Sequence, residues 1–168
     1  MPVTPSLSVH ERLILADKAL IQSLLPNQTL FPDLTAQWVL DQIIENQDVV
    51  QAPGVLVSCE GCKVTYEAID EFNDAVMRQV LIAVVARNDP KYVAFRPKFM
   101  LWEQSLMKVF RLGPTQGLNP VLATVPEVSA CWMDPQPVID KTSKVYQNFR
   151  GGFLLKYRCI EPRGVAGQ

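Results

Sequence analysis

The sequence predicts an α+β fold: a mostly antiparallel sheet of two hairpins, with two main helices packed on one face. Three observations predict it. Two segments place apolar residues at helical spacing, four short apolar runs have strand length, and each pair of runs follows one helical segment. The 168 residues fit one domain, 1–168, with a short N-terminal tail over 1–7 and irregular regions over 26–53 and 112–149. Hydrophobic residues form 48% of the chain and charged residues 20%, enough to bury a core and too apolar for a disordered chain.

The first helix is expected over 9–25. Ser8 and Glu11 have capping-box spacing, Val9, Leu13, Ala16, Leu20 and Leu24 share one stripe, and Pro26-Asn27 stops it. Residues 26–53 fit two patterns, a helix capped at Asp33 or Thr35 and an extended arm with one strand. Val55 to Cys59 is a short strand, Glu60-Gly61 a turn, and Lys63 to Asp74 a polar, acidic loop or strand edge. A long strand runs from Ala75 to Ala86, its second half apolar on both faces as in a strand covered on both sides.

Pro97 opens the second helix, where its missing N–H costs nothing, and Phe99, Trp102, Leu106, Val109 and Phe110 carry the periodicity to Arg111. An irregular connection over 112–126 leads to a strand at Val128–Met133, followed by a proline-rich loop over 134–149. In the closing strand, Phe153, Leu155, Tyr157 and Cys159 form one apolar face while Lys156 and Arg158 point to the other.

The composition excludes several functions. With 16 Lys+Arg against 17 Asp+Glu, the formal charge of −1 lacks the basic excess that phosphate neutralisation demands of a nucleic-acid binder. No run reaches the ~20 apolar residues of a bilayer span, and Met1 to Pro5 lacks a signal-peptide layout, so a soluble protein assembled in a cytoplasm is expected.

Chemistry-bearing motifs are few. Cys59 and Cys62 form a Cys-x-x-Cys turn, the spacing of half a zinc site or of a redox pair. Two further ligands would have to come from Cys131, Cys159 or His10, at irregular spacing, and no helix follows to activate a thiol. A hairpin turn with incidental cysteines is the simpler reading, and no cofactor is implied. His10, the single histidine, reads as an exposed first-turn residue rather than a catalytic base. Glu67, Asp70, Glu71 and Asp74 form an acidic cluster that suits a solvated loop, or a lumen lining that repels DNA; carboxylate catalysis there would need a pocket. Trp38, Trp102 and Trp132 sit in or beside apolar patterns and read as core, with Trp38 also a candidate interface anchor.

The element order, the strand Ala75–Ala86 followed by the helix Phe99–Arg111, and the closing strand Gly152–Gly164 together resemble the tail terminator (tail completion) proteins of tailed bacteriophages. The resemblance covers most of residues 8–164 and lies in topology and pattern; extra length at 26–53 and 112–149 departs from the compact members. It implies a non-enzymatic virion protein that forms a homo-hexameric ring at the head–tail junction. Such a ring would cap the tail tube protein, meet the head-completion or connector protein, and let DNA pass through its lumen without gripping it. Interface or lumen candidates are Trp38, the acidic residues Glu67, Asp70, Glu71 and Asp74, and the edge-strand groups Lys156 and Arg158. Another neck or tail component, such as a head-closure or tail-tube protein, is the neighbouring reading. A small zinc-binding or redox domain at Cys59 and Cys62 is the reading from a different class.

Overall fold

A computed structural model describes residues 7–27, 29, 31, 39–40, 54–58, 64–87, 96–111, 124–140 and 148–163. The chain order is α1 (Val9–Leu24), β1 (Val39–Leu40), β2 (Gly54–Ser58), β3 (Thr65–Ala68), β4 (Asn73–Arg87), α2 (Arg96–Arg111), β5 (Val128–Asp140) and β6 (Asn148–Pro162). Among the described residues, one sheet takes the order β1-β2-β4-β6-β5, and β3 pairs with β4 beside β2. The four main strands β2, β4, β6 and β5 are antiparallel throughout, and only β1 with β2 is parallel. The fold is the expected α+β.

Alternation along the strands decides which face is buried. Phe153, Leu155, Tyr157 and Cys159 of β6 are all buried and lie opposite Ile82, Val80, Arg78 and Val76 of β4. Both helices cover this face. Ser8 caps α1 by accepting from the Glu11 N–H at 3.2 Å, and Leu13, Asp17 and Ile21 turn inward. Trp102, Leu106 and Phe110 do the same from α2, with the Phe110 and Phe153 rings 6.0 Å apart.

On the opposite face β4 is apolar but only partly buried among the described residues. The small Ala75 and Ala83 are buried there, shut between cross-strand neighbours, whereas Met77 and Leu81 are half-buried. At Gly152, beside Ala83, an added Cβ would meet the Ile82 carbonyl oxygen at 2.1 Å, so the two backbones meet where no side chain fits.

Several expectations change. The proline-rich stretch after Met133 is strand as far as Asp140, not loop. Its register with β6 slips between Asp134 and Val138, where Pro135 and Pro137 supply no N–H, so the irregularity accommodates prolines on an edge strand. Trp132 is 44% exposed on the helix-free face, not core. The alternation that buries Cys131 turns its neighbour outward, and neither described helix packs on that side. His10 is half-buried, donating from Nε2 to the Gln79 carbonyl at 2.9 Å. Trp38, Cys59, Cys62 and most of 26–53 and 112–126 lie outside the described residues.

Candidate interaction surface

The β3–β4 hairpin stands outside the layer that the helices cover. All four residues of β3 are exposed, and among the described residues the strand pairs on one side only, with β4 from Thr65–Met77 to Ala68–Asp74. Around its tip, Tyr66 is 70% exposed, Ile69 45% and Phe72 74%. Three large apolar side chains in water on one hairpin form the kind of patch that marks a protein contact. Single exposed apolar residues elsewhere need no such account.

The turn is held firmly. Asp70 Oδ1 accepts from the Phe72 and Asn73 N–H groups, each at 2.7 Å, and from Asn73 Nδ2 at 3.2 Å. The Ile69 and Asp70 N–H groups donate to the Asn73 carbonyl at 3.2 and 3.3 Å. Hydrogen bonds from the Phe72 N–H and from Asn73 favour the charged carboxylate and hold the Asp70 pKa below its ordinary range. Arg163 clasps the hairpin's root: its N–H donates to the Phe72 carbonyl at 2.7 Å and its Nε to Asp74 Oδ1 at 2.7 Å. Phe72 is therefore presented by an ordered turn, which lowers the entropy lost when a partner covers it.

This geometry divides the acidic cluster. Asp70 and Asp74 are occupied in shaping the hairpin, while Glu67 and Glu71 project from the strand and the tip as exposed charges. Lys156 and Arg158 lie elsewhere, on the helix-free face of β6, and β6 is not an edge strand: it runs between β4 and β5. Lys156 Nζ pairs with Asp134 at 2.8 Å, and the Arg158 carbonyl accepts from Ser129 Oγ at 3.0 Å. Among the described strands, the sheet edges are instead β3 and β1 on one side and β5 on the other.

The sequence reading missed Tyr66, Ile69 and Phe72 because it weighed the charges of 63–74 and not their alternation with apolar residues. The signal was present: an Asx-turn sequence, Asp70 to Asn73, joins two stretches of strand-forming residues.

A second polar constellation lies in the core. Tyr157 donates its hydroxyl to Asp17 Oδ1 at 2.5 Å, both residues wholly buried, and among the described residues Asp17 Oδ2 has no hydrogen-bond partner. Burial pushes the Asp17 carboxyl up to about 7, and the Tyr157 hydrogen bond opposes this only in part. The Cys131 thiol lies beside this pair; burial pushes it well up and pushes the Cys159 thiol to about 12, so both stay protonated and unreactive at neutral pH. With no exposure, the cluster pins α1 to the sheet rather than meeting a substrate. Two ion pairs reinforce the same face: Arg12 of α1 to Glu127, and Arg78 to Glu161 through both carboxylate oxygens at 2.7 and 2.8 Å.

Among the described residues no three His, Cys, Asp or Glu side chains gather as a metal site, and no helix is long and apolar enough to cross a membrane. No protein-family model matches the sequence, and no curated protein is similar to it at a significant level.

Proposed function

We propose that this chain is a structural virion protein of the tail terminator type, whose copies form a hexameric ring that caps the tail tube and joins it to the head connector. The observation that carries this reading is the ordered hairpin displaying Tyr66, Ile69 and Phe72 to solvent, a surface made for another protein. The arrangement of two helices on one face of an antiparallel sheet is the fold that the resemblance to tail terminators implies. A near-neutral charge suits a ring through which DNA passes without being held. In this reading the protein acts by assembly and not by catalysis, in the virion after assembly in the host cytoplasm. The zinc or redox alternative rests on Cys59 and Cys62 alone.

The test is the native mass of the purified chain, by light scattering across a concentration series, together with its effect on elongation of purified tail-tube protein. A hexamer, or a monomer that becomes a ring at tube ends and stops elongation, is expected. A monomer at every concentration that leaves tube growth unchanged would overturn the assignment.

A further inference from the structure

The polar ties between α1 and the sheet are spread unevenly along the helix. His10 donates to the Gln79 carbonyl and Arg12 pairs with Glu127, both at the N-terminal end. The Asp17–Tyr157 bond comes at mid-helix, ahead of the buried Ile21 and Leu25. These ties and the apolar stripe hold α1 by side chains, whereas β4 and β6 hold each other by a backbone ladder of fifteen pairs. The helix is therefore the element that can leave the core while the sheet stays whole.

What surrounds Asp17 suits a neutral acid and not a carboxylate. From β6 it meets the Tyr157 hydroxyl, and from β5 the Cys131 thiol lies beside it; Cys159 follows on the same face, and all three groups are uncharged at neutral pH. The cations and acids of the neighbouring elements are spent on each other, Arg12 with Glu127 and Arg78 with Glu161. On α1 itself Glu11 is exposed, and Lys18 stands about 100° round the helix from Asp17. The β2 side chains in this part of the core are Val55 and Val57. An ionised Asp17 would keep one donor, Tyr157, and one buried oxygen with no partner among the described residues.

We infer that α1 is a proton-gated latch: with its proton, Asp17 seats the C-terminal half of the helix on the sheet, and loss of that proton to solvent releases it. The ties at His10 and Arg12 stay closed, so the helix lifts about its first turn. Lifting gives the carboxylate water and uncovers Ile21 and Leu25; reprotonation lets the same apolar side chains close the helix again. Burial raises the Asp17 pKa toward neutrality, which places the transition in the range where a cell's pH varies. The device is a property of one copy and stands apart from the ring reading.

The test is amide exchange of the full chain against pH, corrected for the intrinsic exchange rate, at residues 18–24 of α1 and at residues 153–159 of β6. In wild type the opening constant of α1 should rise about 10-fold per unit between pH ~4.5 and ~6.5 and level off above about 7, because opening then releases one proton. It should exceed that of β6 at every pH. Asp17→Asn should remove the pH dependence. Tyr157→Phe removes the donor that favours the charged carboxyl, so it should keep the slope and move the levelling point to higher pH. A wild-type opening constant that does not change with pH would overturn the latch, since Asp17 would then keep one state or ionise in place. Equal opening in α1 and β6 would show that the chain unfolds as one unit and would overturn the local release. A slope that survives in Asp17→Asn would assign the proton to another group. If that variant does not fold, an unmoved levelling point in Tyr157→Phe overturns the proposal instead.

Discussion

Asp17 shows how much of a single residue's role the sequence contains. The sequence reading passed over it, although it stands four residues after Leu13 and four before Ile21, the positions that α1 buries. Its partner was not legible, because Tyr157 is 140 residues away and only the sheet brings it under α1. The pH consequence follows from the raised pKa. Between the ordinary carboxylate value of 3.8 and about 7, the folded chain holds a proton on Asp17 that the unfolded chain releases. Stability from this group is therefore complete below pH ~4 and is lost as pH rises to ~7, by roughly 4 kcal/mol in all. Asp17→Asn keeps an acceptor for Tyr157 and removes the titration. Urea unfolding of the two proteins across pH 4–8 should show the variant gaining on wild type up to about pH 7 and holding its advantage above it. Parallel profiles would show that Asp17 does not titrate there.

At the scale of elements, the periodic ones were legible and the irregular ones were not. The helices at Val9–Leu24 and Arg96–Arg111 and the buried face of β6 follow from spacing alone, since one face of each must leave water. The continuation of β5 through Pro135 and Pro137 was hidden, because proline argues against a strand unless the strand is known to be at an edge. The hairpin was hidden for a different reason. Its charges dominate a composition reading, whereas Asp70 acts by geometry, accepting from three donors at once. Asp70→Ala removes every one of these bonds. The expected outcome is faster amide exchange at Phe72 and Asn73, with exchange in β6 unchanged and weaker self-association. Unaltered exchange at the tip would show that the backbone holds the turn without the carboxylate.

Across the whole molecule, β4 is the organising strand: it pairs with β2 and β3 in succession along one side and with β6 along the other, from Asn73–Pro162 to Arg87–Asn148. The four main strands were legible one by one, but their order was not, since pairing β4 with β6 joins residues that only the folded chain makes neighbours. Stability should follow this layout. Amide exchange is expected to be slowest at residues 76–82 of β4 and 153–159 of β6, where the ladder lies under both helices, and fastest in β3, which is exposed throughout. Equal protection in β3 and β6 would contradict a core confined to the helix-covered part of the sheet.

The fifteen-residue ladder between β4 and β6 also has a mechanical meaning. Tension applied at the hairpin and directed along β4 tries to slide that strand past β6. The interstrand hydrogen bonds, which run across the strands, then share the load together and do not open one after another like a zip. Force arriving at Phe72 thus travels straight into the most deeply anchored strand, so the projecting tip and the buried centre of the sheet behave as one beam.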